Sequence, residues 1–401
     1  LKRNTEIFYW STIEEANIAK QEVFSGSYLS AVDTLQSKLS VAVNSQMHAD
    51  VPLGAFLSGG VDSSTIAALM QEQSSKKVKT FSIGFEDKRY NEAEHAKLVA
   101  NHLGTDHHDM YVSSKDALNV LPLLPDMFDE PFADSSQIPM YLVSKIAKSK
   151  VTVCLSGDGG DELFGGYNRY LVASKLWNKI SKIPKPGKSA LAYLIKSLKP
   201  TVWDKISDLL YKNKYSNLGY KLHKGADSLQ SKNIDDLYFN LISTIKNPTE
   251  WLINSEEHSN TNYNFDPKIS GIERMMIKDL VGYLPTDILT KVDRTSMAVS
   301  LEARTPFLDK EIVKFALTLP EEYKIKAEVG KSVLRDVLYK YVPKDMIERP
   351  KMGFGVPLAE WMRGELRVWC EDLLNEKKLN DDGFFNSKLI REKWNEHLKG
   401  D

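Results

Sequence analysis

The chain has 401 residues, is 42% hydrophobic, and balances 53 Lys and Arg against 54 Asp and Glu for a formal charge of −1. That size and apolar content allow a large core spread over roughly two or three domains or one elaborate one. The charge balance excludes a chain-wide field that would gather nucleic acid or an anionic membrane. Two cysteines, Cys154 and Cys370, are too few for a disulfide framework or a zinc site built on sulfur, which fits a reducing cytoplasm. No apolar stretch reaches bilayer length and no signal-peptide pattern opens the chain.

The sequence begins at Leu1 and runs to Phe24 without clear periodicity, so residues 1–24 are expected to be a linker remnant, the cut end of something longer. Apolar residues at Val32, Leu35, Leu39, Val43 and Met47 predict an amphipathic helix. Val51 to Leu57 reads as a strand ended by Ser58-Gly59-Gly60, and Asp62 to Gln73 returns to helical spacing. A strand is expected over Val78 to Phe85, a helix over Asn91 to Leu103 closed by Gly104, and a strand over His108 to Val112. Pro139 to Lys148 reads as a helix, and Val151 to Leu155 as a strand stopping at Ser156-Gly157. Strands alternating with helices imply an α/β fold, a parallel sheet flanked by helices, with ligands beyond the carboxyl ends of the strands.

Past Tyr170 the strand signal fades and a largely helical C-terminal lobe is expected. The stretch from Lys175 to Lys224 carries twelve lysines against Asp204 and Asp208 and has no arginine. It reads as a solvated face of packed helices rather than a nucleic-acid or membrane surface.

Ser58-Gly59-Gly60-Val61-Asp62-Ser63-Ser64 is the strongest signal in the chain. Paired glycines let backbone approach an anion closely, and the helix that follows aims its open amides and positive dipole end at phosphate. Ser58, Ser63 and Ser64 add hydroxyl donors. A carboxylate facing bare phosphate would repel it, so Asp62 is assigned to magnesium, which takes one or two carboxylates along with phosphate oxygens. Gly187-Lys188-Ser189 and Gly330-Lys331-Ser332 imitate the end of a G-x-x-x-x-G-K-[ST] loop, but Lys182 and Ile325 stand where its first glycine belongs. The expected cut in a nucleotide is therefore between the α and β phosphates.

Ser156-Gly157-Asp158-Gly159-Gly160-Asp161-Glu162 repeats the logic at another strand end. Asp161 can share the magnesium with Asp62, which leaves Asp158 nearer the reacting carboxylate or amine as a proton acceptor. His95, His102, His107 and His108 straddle a helix end and a strand start without regular ligand spacing and are read as local structure. Cys154 and Cys370 are read as packing residues.

These loops occur in order with Ser82-Ile83-Gly84-Phe85, Asn101 to His108, Asp129-Glu130-Pro131-Phe132, Lys291-Val292-Asp293-Arg294, Leu301 to Asp309, and Gly330-Lys331 with Leu334-Arg335. Together they resemble the asparagine synthetases from about Tyr9 nearly to the end, with the β-lactam synthetases sharing the scaffold and several motifs. The resemblance implies a PP-loop ATP pyrophosphatase fold, like that of the adenine nucleotide alpha hydrolases. Residues 25–401 would be the synthetase domain, with 25–170 the nucleotide-binding core and 171–401 the helical lobe. Leu57, Ser58, Ile83 and Gly157 would contact AMP, with Ser156 beside them. Ser58, Gly59, Gly60 and Ser63 would cradle pyrophosphate, and Asp62 and Asp161 would bind Mg2+. Lys331 would stabilise the charge of departing pyrophosphate. The implied substrates are ATP, ammonia, and aspartate or a similar carboxylate. The implied partner is an N-terminal glutaminase domain of the full-length chain, with no nucleic acid or membrane. Oligomeric state is left open, a homodimer included.

Two departures accompany the resemblance. Asp158 stands where better-studied members carry glutamate, one methylene longer, and a cysteine-led glutaminase domain is absent from this sequence. Two rivals follow: an RNA-modifying ATP pyrophosphatase using the lysine-rich stretch, and an inactive binding module on the same scaffold.

Overall fold

The computed structural model describes residues 9–85, 93–211, 218–245, 247–256, 263–348 and 356–400. The chain divides into two compact units, Leu1–Asn168 with Asn264–Val356, and Arg169–Tyr263 with Pro357–Asp401.

The first unit is built on five parallel strands, β1 (Leu53–Phe56), β2 (Lys79–Phe85), β3 (Asp106–Val112), β4 (Val153–Leu155) and β5 (Glu302–Arg304), in the order β3-β2-β1-β4-β5. Helices in chain order are α1 (Thr12–Ala19), α2 (Tyr28–Met47), α3 (Val61–Glu72), α4 (Ala93–Leu103), α5 (Gln137–Lys148), α6 (Gly160–Phe164), α7 (Thr290–Met297), α8 (Lys310–Thr318) and α9 (Ser332–Leu338). Leu35, Leu39 and Val43 of α2, Ile66 and Leu69 of α3, and Val333, Leu334 and Val337 of α9 are buried in one cluster with Leu155 of β4. The interior strand β4 is apolar and shielded from solvent: Val153, Cys154 and Leu155 are each almost fully buried.

The strand order reverses between β1 and β4. Gly54 pairs with Lys79 on one side and with Cys154 on the other. Turns leaving two neighbouring parallel strands at the same sheet edge meet at this switch point, which is where open α/β sheets bind ligands. The α/β class, the parallel sheet and the flanking helices expected from sequence are all present.

Several boundaries differ from expectation. Helix α2 begins at Tyr28 rather than Val32, because Ser27 accepts from the Ser30 amide and starts it a turn earlier. β3 begins two residues before His108, at Asp106, whose amide donates to Val78 O at 2.9 Å. The helix read from Asn91 is described from Ala93, its first two residues lying outside the described range. Residues 1–24, read as linker, contain α1, capped by Ser11 and burying Ala16 and Ala19 in the core. Ala16 and Ala19 are its buried residues; of its two isoleucines Ile13 packs against the core and Ile18 is exposed, too few to betray the period.

The boundary drawn at 170 falls beside Asn168, yet the chain does not stay in a helical lobe afterwards. Residues 264–356, assigned by sequence to that lobe, carry β5, α7, α8 and α9 and belong to the sheet-bearing unit. A three-residue strand inside Leu301 to Asp309 has no alternation to reveal it; it is defined by its pairing, Val153 with Glu302 through Leu155 with Arg304.

The second unit is helical. Ile180, Ala192, Ala226, Leu229 and Leu237 form its buried cluster, with Trp177 and Ile195 packed against them, and Tyr170 and Tyr238 lie 6.0 Å apart between ring centres.

Candidate active site

A cavity of about 260 Å3 opens where the β1 and β4 turns meet. From the first turn it is lined by Leu57, Ser58, Gly60, Asp62 and Ser63, from β2 by Ile83, and from the second turn by Ser156, Gly157, Asp158 and Asp161. Gly59 and Ser64 lie outside this wall. Gly59, at φ +73, lets the turn pass under the start of α4, where a Cβ would come within 2.9 Å of the Ala96 amide. Ser64 is fully buried within α3.

Glycine is required where the two turns touch. A Cβ on Gly157 would stand 2.7 Å from the Ser63 amide nitrogen and 2.9 Å from Asp62 Cβ, and one on Gly160 would collide with the Asp62 carboxylate. Ser58 and Ser63 brace the first turn, with Oγ atoms 3.0 Å apart and the Ser58 amide donating to Ser63 Oγ at 3.1 Å. Helix α3 starts from Gly60, which has no side chain to cap it. Its first amides are thus left without a side-chain cap next to the cavity-lining Gly60, Asp62 and Ser63, an arrangement suited to phosphate.

Lys331, reached only at the start of α9, lies 1% exposed with its backbone left-handed at φ 61. Its amide donates to Phe164 O at 2.8 Å. Its ammonium is paired with Asp62 Oδ2 and, at 2.6 Å, with Asp161 Oδ1. Burial alone would pull this lysine down, but the two carboxylates outweigh it and hold the ammonium above its ordinary value. Gly165-Gly166 makes room: a Cβ on Gly166 would strike both the Asp161 carboxylate and the Lys331 stem, and one on Gly330 would strike the Gly165 carbonyl. Lys331 thus sits behind the two carboxylates rather than at the cavity rim.

Asp158 accepts from the Ser156 hydroxyl. Burial raises its pKa, against the Ser156 hydrogen bond and the Lys291 charge, while Asp62 and Asp161 push the same way as burial. Lys291 of α7 donates to Asp134 Oδ2 at 2.7 Å and touches Ser136 Oγ at 2.8 Å.

Sequence reasoning gave no role to several residues of this wall. Glu162 is 1% exposed, accepts from Tyr167 OH at 2.8 Å, and is pushed up to about 7, chiefly by burial. Its position next to Asp161 was the available signal. Met140 and Val143, one turn apart on α5, and Ile288 also line the cavity; apolar side chains on a helix carry no signal separating a pocket wall from core. The histidines do local work. His107 bridges Thr80 at 2.9 Å and Ser82 at 3.1 Å across β2 and β3, and His102 bonds the Tyr341 carbonyl at 2.9 Å. Cys154 and Cys370 are free and buried.

A parallel sheet with strand-end glycine turns enclosing carboxylates, a buried lysine and an uncapped helix start defines an α/β protein of the PP-loop, adenine nucleotide alpha hydrolase-like class. A profile of the family described as asparagine synthase matches residues 34–401, and the chain belongs to that family. It is similar to "Asparagine synthetase [glutamine-hydrolyzing] 1" of Bacillus subtilis (strain 168), 33% identical over 362 residues, covering 89% of this chain and 54% of the relative. A "Putative asparagine synthetase [glutamine-hydrolyzing]" of Mycobacterium bovis is 35% identical over 339 residues, covering 84% and 50%. "Asparagine synthetase [glutamine-hydrolyzing]" of Bos taurus is 25% identical over 340 residues, covering 80% and 43%. The chain spans about half the length of the curated relatives it matches. No helix among the described residues is long and apolar enough to cross a membrane.

Proposed function

We propose that this chain is a carbon–nitrogen ligase that amidates a carboxylate at the expense of ATP, with aspartate the substrate and asparagine, AMP and pyrophosphate the products. The observation that carries the reading is the meeting of Asp62, Asp161 and Lys331 under the two strand-end turns. The acceptor carboxylate attacks the α phosphorus of ATP, the bond to the β phosphate breaks, and a β-aspartyl adenylate forms. Ammonia then attacks the acyl carbon and AMP leaves.

Ser58, Gly59, Gly60 and Ser63 with the start of α3 are assigned to the pyrophosphate portion, and Leu57, Ser58, Ile83, Ser156 and Gly157 to AMP. Ser64 is left out of the nucleotide-binding set, since it is fully buried in α3. Asp62 and Asp161 suit Mg2+, because two carboxylates that reach one ammonium converge closely enough to serve one cation, and magnesium needs no more than two with phosphate and water completing its shell. When bound, the metal would neutralise charge on the phosphates. Lys331 supplies a fixed positive charge that desolvation makes effective as pyrophosphate departs. Asp158 is assigned the proton released by the attacking ammonia.

We assign the nitrogen supply to a glutaminase domain of the full-length protein, supported by the glutamine-hydrolysing names of relatives of which this chain covers about half. The cytoplasm is the proposed compartment, supported by two isolated, free cysteines. Aspartate-dependent exchange of pyrophosphate into ATP, with ammonia supporting amide formation, is the direct test. A lack of exchange with every member of a panel of amino-acid carboxylates overturns the reading.

A further inference from the structure

The cavity is lined by the acids Asp62, Asp158, Asp161 and Glu162 and by no lysine or arginine. Lys331, behind it, is taken up by Asp62 and Asp161. Aspartate carries two carboxylates and one ammonium, so the proposed reaction must draw an anion towards a wall of acids. Magnesium at Asp62 and Asp161 would offset that repulsion on the phosphate side. On the Asp158 side the offsetting cation is Lys291, whose positive charge acts on the Asp158 carboxyl.

Two helix starts bring this lysine there. Helices α5 and α7 run back to the strands that follow them, β4 and β5, so both begin at the sheet edge where the cavity opens. Ser136 precedes the first residue of α5, and Lys291 is the second residue of α7. The stretch before α7, Leu284–Leu289, winds as a π-helix, a form that recurs at functional sites. Its Ile288 lines the cavity together with Met140 of α5. Lys291 therefore stands one turn beyond a wall residue, and Ser136 one turn before another.

Both members of the Lys291–Asp134 pair have capacity to spare. An ammonium has three donors, and among the described residues Lys291 spends two, on Asp134 at 2.7 Å and on Ser136 Oγ at 2.8 Å. Asp134 accepts from the Ser136 amide at 2.9 Å, from the Ser136 hydroxyl at 2.7 Å and from Lys291, which fills three of about four acceptor positions. Burial pushes the Asp134 carboxyl up, but Lys291 and these hydrogen bonds outweigh it and hold it below its ordinary value. Neither side chain is sealed, since 11% of Lys291 and 20% of Asp134 stay open to solvent. A pair this buried adds little to stability once desolvation is counted, so stability is a weak reason for it.

We propose that Lys291 and Asp134 determine the specificity for the acceptor, Lys291 binding the α-carboxylate and Asp134 the α-ammonium of a free amino acid whose side-chain carboxylate is directed to the ATP. Their role rests on the amidation proposed above. A preformed pair of opposite charges matches a zwitterion charge for charge, and neither partner is left uncompensated when the substrate leaves. A carboxylate borne on a neutral scaffold offers Asp134 nothing to hold.

The test is the exchange of pyrophosphate into ATP by the 401-residue chain, with aspartate varied at fixed ATP and ATP varied at fixed aspartate. Lys291→Met should raise the KM for aspartate at least about tenfold, the loss of a hydrogen bond between charged groups, and leave the KM for ATP within about twofold. Lys291→Arg should recover part of that loss. Succinate, which lacks the ammonium, and 3-aminopropanoate, which lacks the α-carboxylate, read the two halves apart as inhibitors of the exchange. Lys291→Met should weaken inhibition by succinate and not by 3-aminopropanoate, and Asp134→Asn should weaken inhibition by 3-aminopropanoate and not by succinate. The double variant Lys291→Met/Asp134→Asn, which leaves no buried charge unpaired, should keep the parent's circular dichroism and still lose affinity for aspartate. Equal rises in the two KM values, equal effects of both substitutions on both analogues, or failure of both analogues to inhibit the parent overturns the proposal. An unchanged KM for aspartate in every variant removes the pair alone, whereas a parent that exchanges with no carboxylate removes the amidation reading and the pair with it.

Discussion

Lys331 Nζ lies 2.6 Å from Asp161 Oδ1, although the two residues stand far apart in the chain, one within α6 and the other at the N-cap of α9. The same nitrogen also holds Asp62 from the other strand-end turn. One buried cation therefore ties together the two turns on which the proposed chemistry depends. Two carboxylates this close would otherwise repel each other in a poorly solvated place.

Removing that cation should separate catalysis from folding. In Lys331→Met the exchange of pyrophosphate into ATP is expected to fall by about 10²–10³, the cost of deleting one preorganised electrostatic contact. The thermal midpoint should also drop, because Asp62 and Asp161 are left facing each other. Added Mg2+ should recover part of that midpoint but little of the exchange rate. Calorimetry with and without the metal reads the first effect, and radiolabelled exchange the second.

Asp62→Asn is expected to weaken the apparent Mg2+ requirement curve by about tenfold or more, with Lys331 kept charged by Asp161. Titrating Mg2+ in the exchange assay at fixed ATP measures it. An unchanged metal dependence would remove Asp62 from the ligand set.

Gly166→Ala should act through space alone. The added methyl collides with the Asp161 carboxylate and the Lys331 stem, and a packed site accommodates such an insertion at about 1–3 kcal/mol. Denaturant unfolding should show that loss, along with a fall in exchange activity. Gly104→Ala is the contrast: nothing lies within 4 Å of its Cβ, but its φ of +73 is left-handed, so its loss of stability should come without a loss of exchange.

Glu162 has a pKa raised from 4.5 to about 7, mainly because burial disfavours its charged form. The folded state holds this proton more tightly than the unfolded state does. Its contribution to stability is therefore fully present below pH 4.5, falls as the pH rises, and is lost above about 7. Glu162→Gln, which cannot ionise, should be more stable than the parent by roughly 2–3 kcal/mol at pH 8 and nearly equal to it at pH 4. Urea unfolding across that range checks the sign as well as the size.

The sequence by itself determined the kind of sheet and the chemistry of its edge. Apolar runs ending in Ser58-Gly59-Gly60 and Ser156-Gly157 could be read as strands and phosphate-side turns, because glycine spacing and hydrophobic period are local properties of the chain. Tertiary structure alone decided that β4 lies directly beside β1, that residues 264–356 come back to complete the sheet with β5, and that Lys331 ends up behind Asp62 and Asp161. It also brought Lys291 to Asp134 and made Glu162 a wall of the cavity. Pairing between distant segments, and the burial that shifts a carboxyl or seats a lysine, arise only when the chain has closed on itself, so no window of neighbouring residues contains them.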